Sequence, residues 1–313
     1  MLLSLALVGP LSTELPLSIP DDQWRRIYDR VDQALEKKLE AALRQNDLRK
    51  RLIEKKKLGV GVVDLSDPLN PRFARVNGRT MMYAASLPKI AILLAAYACF
   101  EDGTLQETPE IRKDLGLMIR KSDNPAATRM IDCIGFDKIQ AVLMDSRYQL
   151  YDKERGGGLW VGKRYAKTGD RHPDPVLGLS HAATVTQVCR FYYMLAYGRI
   201  INPERSRQIL AHLSKPGIRH KFVSVLEQRA PLASLFRKSG TWKTWHSDSV
   251  LVWGPVWRRY VLVAMVESEE GEQILKDLVP LVEEILNPPA DSVARAADVP
   301  PLPQTGTKPQ DLP

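Results

Sequence analysis

Apolar positions along this chain change their period several times, and each change marks an element. In residues 22–57, Trp24, Ile27, Val31, Leu35, Leu39 and Leu43 recur at intervals of three and four, the stripe of an amphipathic helix. The stripe drifts and never settles into heptads, which favours packing on a sheet or a partner over a long coiled coil. Residues 59–65 and 73–76 read as two strands. Residues 90–97, Ile-Ala-Ile-Leu-Leu-Ala-Ala-Tyr, are apolar throughout, as in a helix buried on every side. Helix-like stretches follow at 111–120 and 125–131. Near the C-terminus, 238–242, 249–253 and 259–266 read as a three-strand meander, its last two strands split by Gly254-Pro255, and 277–286 reads as a closing helix.

That order predicts an α/β (α+β) fold. N- and C-terminal pieces supply a five-stranded antiparallel sheet with flanking helices, and an all-helical block is inserted between them. A chain of 313 residues with 44% hydrophobic content can bury one large core, placed here in residues 22–287. Residues 1–21 form a possible degenerate leader: Leu2 to Val8 could be a signal-peptide core, but no basic segment precedes it and no clear small-residue cleavage site follows. Residues 288–313 are Pro-rich and expected to be disordered. Leu302-Pro-Gln-Thr-Gly306 in that tail matches a sortase signal, but the hydrophobic segment and basic end such a signal needs do not follow it.

Three short motifs then occur in one order: Ser86-Leu-Pro-Lys89, Ser122-Asp-Asn124 and Lys238-Ser-Gly240. Ser86 stands at the start of the apolar helix with Pro88 in its first turn, where proline is tolerated. Residues i and i+3 share a helix face, so the Lys89 amine is expected beside the Ser86 hydroxyl. A desolvated lysine can take a serine's proton and make it a nucleophile. Ser122-Asp-Asn124 falls between two helices, in a turn able to hold side chains over a cleft. Lys238-Ser-Gly240 opens the meander, and Gly240 would allow close approach to the backbone. Taken singly, each motif also has a plain reading as an N-cap, a turn or an edge strand.

Together and in this order, the motifs resemble those of the serine β-lactamase and penicillin-binding family, with Lys-Ser-Gly for the usual Lys-Thr-Gly. The resemblance spans roughly residues 58–287 and is closest to the class A type. It implies a β-lactamase/transpeptidase-like fold and an acyl-enzyme formed on Ser86 with Lys89 as base. It further implies that Ser122 passes a proton to the leaving nitrogen and that Asn124 binds the substrate's side-chain amide. Lys238 and Ser239 would hold the substrate carboxylate, and the N–H groups of Thr241 and Ser86 would form the oxyanion hole. Asp123 more simply braces its turn.

One family element is missing. Class A enzymes carry Glu-x-x-Leu-Asn between the second and third motifs, and its glutamate activates the deacylating water; this chain has no such run. Counting forward from the second motif points near Glu154, and counting back from the third points near Asp170. The segment 152–178, with Gly156-Gly-Gly158, holds extra residues, so the two counts disagree. Asp170 is the preferred stand-in, a shorter carboxylate with slower turnover. Read without the resemblance, Asp170 and Asp174 are equally turn residues.

The net charge of +8 suits anionic, carboxylate-bearing substrates, either a small-molecule β-lactam or a peptidoglycan-derived peptide. No nucleic-acid motif accompanies the charge, and the runs Arg49-Lys-Arg51 and Lys55-Lys-Lys57 read as a solvated helix face. Five histidines without paired spacing predict no metal, and the chemistry needs no cofactor. Cys99, Cys133 and Cys189 all read as buried small hydrophobes. No transmembrane segment is expected. Family habit implies a periplasmic or secreted location.

Overall fold

The structure, a computed structural model, describes residues 14–288. Residues 1–13 of the leader and 289–313 of the tail, with the run at 302–306, lie outside the described residues. The N-terminal stripe is two helices, not one. The Asp32 carboxylate accepts the Ala34 and Leu35 N–H groups and caps α1 (Gln33–Arg44), and Asn46 accepts from Arg49 and caps α2 (Asp47–Glu54). Ahead of Asp32 the chain makes short 3₁₀ turns at Asp21–Gln23 and Ile27–Arg30. The stripe recorded which side is buried, while the capping side chains decided where the axis breaks. The packed body also begins before Asp22, because Leu17 is buried and donates its N–H to Ala196 O at 2.7 Å.

Strands β1 (Leu58–Asp64) and β2 (Arg72–Val76) follow, then the two-residue β3 (Met82–Tyr83). The helical block is α3 (Lys89–Glu101), α4 (Pro109–Arg120), α5 (Asn124–Ile134) and α6 (Phe136–Met144). Beyond it come the short strands β4 (Tyr151–Asp152), β5 (Gly157–Gly158), β6 (Trp160–Val161) and β7 (His181–Ala183). Helices α7 (Val185–Ala196), α8 (Pro203–Leu213) and α9 (Phe222–Arg229) lead into β8 (Ser234–Trp242), β9 (Trp245–Trp253) and β10 (Arg259–Glu267), and α10 (Gly271–Leu286) closes the fold.

The main sheet runs β2-β1-β10-β9-β8, with each neighbouring pair antiparallel. It is the five-stranded sheet of N- and C-terminal pieces that the pattern predicts. A small sheet, β3-β7-β6, was not visible in the sequence because its strands are two or three residues long. Side chains alternate across β10: Val261, Val263 and Met265 join the core on the α7 side, whereas Tyr260, Leu262, Ala264 and Val266 join the core that holds residues of α1, α9 and α10. On β1, glycine at 59 and 61 lets α7 lie directly on the strand; a methyl at 61 would stand 2.7 Å from Cys189 Sγ.

Helix α3 is the axle of the block. Of its apolar side chains Ile90, Ile92, Leu93 and Leu94 are wholly buried, each worth about 1.5–3 kcal/mol over an exposed position. A helix enclosed on all sides is a rigid base for the residues at its start. Cys99 and Cys189 are buried as expected, but Cys133 is exposed, since α5 turns Ala126, Ala127, Met130 and Ile131 inward and Cys133 away. The basic runs behave as a solvated face, with Lys50, Arg51, Lys55 and Lys56 exposed. No helix among the described residues is long and apolar enough to cross a membrane.

Candidate active site

Ser86 does not begin α3 but sits in the turn just before it, half-buried, with Lys89 as the first helical residue. The turn is wound tightly by Leu87 N–H to Ala84 O (3.0 Å) and Lys89 N–H to Ser86 O (3.3 Å), which keeps the i, i+3 relation. Ala85 holds φ at +51°, an uncommon value for a residue with a Cβ. Lys89 is fully buried. Its Nζ donates to Ser122 O (2.7 Å), Asn124 Oδ1 (2.7 Å) and Asp123 O (3.3 Å), which uses all three ammonium hydrogens. Burial brings its pKa down to about 7, with the Asp123 charge opposing the shift. A lysine there can lose its proton near neutral pH.

The second motif is a strained turn between α4 and α5. Ser122 takes φ of +55°, and Asp123 caps α5 by accepting Ala126 N–H at 2.6 Å, a bracing role. Lys238, on β8, donates from Nζ to Ser122 Oγ at 2.9 Å. The two lysines therefore grip Ser122 from opposite sides, Lys89 on its carbonyl and Lys238 on its hydroxyl. Lys238 is buried, and that burial, with Lys89 and Arg237 nearby, pushes its pKa well below the usual range. An anion bound beside these two buried amines would favour their charged forms.

Gly240 shows why the third motif needs glycine. A Cβ at 240 would lie 2.3 Å from Ala84 O and 2.7 Å from Ser86 N, so β8 runs against the backbone of the Ser86 turn. Ser247 on β9 ties the two together by donating to Ala84 O at 2.8 Å. Thr241, the next residue, is exposed on the same strand. Ser86, Lys89, Ser122, Asn124, Lys238, Ser239, Gly240 and Thr241 are thus gathered where the Ser86 turn, the turn between α4 and α5, and β8 meet.

Behind β8 lies a polar layer that the motifs did not announce. His220 Nε2 stands 3.2 Å from Ser239 Oγ. Lys221, buried, donates to Gly240 O (2.6 Å), Thr241 Oγ1 (2.8 Å) and Ser247 O (3.1 Å). Its burial lowers its pKa to about 8, and burial with Arg237 and Lys221 nearby lowers that of His220 to about 4. Arg237 and Asp248 form a buried two-pronged ion pair at 2.7 and 2.9 Å, and Arg237 also donates to Ile218 O and His220 O. This pair fixes the loop carrying His220 and Lys221. In sequence these residues are single charged positions in a loop and on strands; only pairing across β8 and β9 singles them out.

The segment between the second and third motifs departs from expectation. Asp170 is exposed on the loop, and among the described residues no hydrogen bond or ion pair ties it to Ser86 or Lys89. Glu154 is exposed in a 3₁₀ turn. Asp174 is buried, and its carboxylate is consumed by Tyr151 Oη and the N–H groups of Val176, Leu177 and Leu179. The loop residue that reaches the cleft is Tyr165. Its ring lies 4.4 Å from Lys89 Nζ, and its hydroxyl donates to Ala85 O at 3.2 Å. Counting along the chain looked for a carboxylate and passed over it. Among the described residues, no group of three or more His, Cys, Asp or Glu side chains is placed to hold a metal ion.

The arrangement offers a serine on a rigid turn, a lysine able to shed a proton, a second hydroxyl under a cation, and a glycine strand along the serine's N–H. Those are the parts of an acyl-transfer site. The family model described as the β-lactamase enzyme family matches residues 106–284, a span that holds the second and third motifs. Among solved structures, the chain is similar to a β-lactamase from Sphaerobacter thermophilus DSM 20745, at 19% identity and a TM-score of 0.63 over 81% of this chain and 99% of that one. It is similar to an ancestral class A β-lactamase at 17% identity and a TM-score of 0.58, covering 78% of this chain and 99% of that one. A mutant of PBP-A, an acyl-enzyme complex with penicillin G, aligns at 18% identity and a TM-score of 0.59 over 82% of this chain and 97% of that one. At such identities the likeness is one of fold. No curated protein matches the chain.

Proposed function

From a chain that belongs to the β-lactamase enzyme family, we propose an active-site serine hydrolase that opens β-lactams through an acyl-enzyme on Ser86. Neutral Lys89 takes the Ser86 hydroxyl proton as Oγ attacks the lactam carbonyl, with the Ser86 and Thr241 N–H groups receiving the developing oxyanion. The C–N bond breaks as Ser122 gives its proton to the ring nitrogen, and the proton held at Lys89 or Lys238 replaces it. Lys238 and Ser239 hold the substrate carboxylate, and Asn124 binds its side-chain amide. Water then cleaves the ester. Such substrates are met outside the cytoplasm, so we place the enzyme in the periplasm or secreted.

The observation that carries this reading is the grip of Lys89 and Lys238 on Ser122. With Lys238 donating to Ser122 Oγ, the serine's own hydrogen is free to point into the cleft, as a proton relay requires. The penicillin acyl-enzyme of the PBP-A mutant, on the same fold, supports the substrate class.

A second reading, a penicillin-binding protein that is acylated and released slowly, is favoured by one observation: the loop brings an aromatic ring, not a carboxylate, to Lys89. Intact-protein mass spectrometry over time with excess benzylpenicillin, with substrate loss followed in parallel, tests both. A transient adduct with many turnovers supports hydrolysis, and a stable adduct with one equivalent consumed supports the second reading. No adduct and no consumption, or an adduct that persists on Ser86→Ala, would remove the assignment and turn attention to peptide or ester substrates.

A further inference from the structure

We propose that Tyr165 is a shield that sets the lifetime of the acyl-enzyme by closing the Lys89 side of Ser86 to water. The proposal rests on the acyl-enzyme reading above. It begins from what surrounds Lys89. The amine faces the carbonyls of Ser122 and Asp123, the Asn124 amide oxygen and the face of Tyr165, and no carboxylate is among these partners. The acids of α5 and its cap, and those of the loop that carries Tyr165, are committed or turned away. Asp123 caps α5, Asp132 pairs with Arg164 at 2.5 Å, Asp174 is spent on its own turn, and Asp170 is exposed.

Three contacts hold Tyr165 in place. Its hydroxyl donates to Ala85 O, the carbonyl of the residue before the nucleophile. Its ring also lies against His181, tilted, 4.3 Å between centroids. Its neighbour Arg164 ties the loop to α5 through Asp132. His181 offers no alternative base. Its Nε2 lies 3.0 Å from Lys163 O, and a carbonyl only accepts, so Nε2 carries the proton. The remaining nitrogen, Nδ1, is taken by Ser180 Oγ at 3.1 Å. Burial pushes the Tyr165 phenol well above its ordinary value, so it stays a donor at neutral pH.

In deacylation, a water oxygen must bond to the acyl carbon while the ester C–O bond to Ser86 Oγ breaks. One water proton goes to a base and Oγ recovers a proton. In the proposed role the ring, its centroid 4.4 Å from Lys89 Nζ, takes the place beside the amine that such a water would need. With the ring removed, water can enter and neutral Lys89 can take its proton. Tyr165 thus acts by exclusion and by position, without contact with the bond that breaks.

The test compares Tyr165→Ala, Tyr165→Phe and the parent chain, each acylated with benzylpenicillin and followed by intact mass and by steady-state turnover of a chromogenic cephalosporin. The expected result is a parent acyl-enzyme lasting minutes or longer. Tyr165→Ala should shorten that lifetime at least tenfold, and Tyr165→Phe, which keeps the ring, should leave it within about twofold. If Tyr165→Ala unfolds, Arg164→Ala serves instead, freeing the loop from Asp132, and should shorten the lifetime by a smaller factor. Equal lifetimes in the parent and both loosened variants overturn the shield while leaving the acyl-enzyme standing. A parent that turns over many times per second also overturns it. A parent that forms no adduct overturns both the shield and the reading beneath it.

Discussion

Lys238 Nζ and Ser122 Oγ are 2.9 Å apart, though 116 residues separate them in the chain. This one bond joins strand β8 to the turn between α4 and α5. It makes Ser122 part of a charged network rather than a cap.

If Ser122 relays the proton to the leaving nitrogen, Ser122→Ala should lower the acylation rate by roughly 10²–10⁴-fold, the range for a lost general acid. Stopped-flow acylation with a reporter cephalosporin, alongside a thermal melt showing an intact fold, measures it. A loss below threefold would return Ser122 to a structural role.

The pH dependence of acylation should follow Lys89. Burial disfavours the charged amine and lowers its pKa to about 7, and in the proposed mechanism the neutral form is the base. Acylation should therefore climb as pH rises through about 7 and level off above it. The same shift has a sign for stability: between about 7 and the ordinary value of 10.5, the unfolded chain holds a proton here that the folded chain does not. This residue's burial penalty is thus full below pH 7 and lifts as pH rises toward 10.5. A rate profile that keeps rising to pH 10 would rule Lys89 out as the base.

Gly240→Ala should cut acylation about 100-fold, the scale of a 1 Å misplacement in a reacting centre. The added methyl meets Ala84 O and Ser86 N, backbone atoms that cannot rotate away, so β8 must retreat from the nucleophile turn. Measured kcat/KM should fall much more than the melting temperature.

Asp248→Ala should cost about 3–5 kcal/mol in urea unfolding, because it leaves Arg237 buried without its counter-charge. It also frees the loop of His220 and Lys221, whose Phe222 N–H is held by Asp248 Oδ2 at 3.2 Å. The double variant Arg237→Met with Asp248→Leu should recover much of that stability but not the activity.

Much of this protein is legible in one dimension. The apolar pattern gave the five strands of the sheet, helices α3, α4 and α5 of the block and the closing α10, but not α6, since a residue's neighbours at i+2 or i+3 and i+4 are fixed by local geometry. The motif Ser86-Leu-Pro-Lys89 carries its own spacing for the same reason. What lay beyond reach was whatever depends on side chains meeting from distant segments. The break at Asn46, the exposure of Cys133 and the tiny β3-β7-β6 sheet each turn on capping or packing that no period encodes.

The candidate site divides the same way. Sequence by itself determined the three motifs and their order, because each is a local run whose residues stay together however the chain folds. Tertiary structure alone decided that Lys238 reaches Ser122, that His220, Lys221, Arg237 and Asp248 form the layer behind β8, and that Tyr165 rather than Asp170 stands over Lys89. The loop between motifs has insertions and no periodic pattern, so its register against the cleft is set by the Arg164–Asp132 pair and the packing on His181, which are contacts in space and not intervals in the chain.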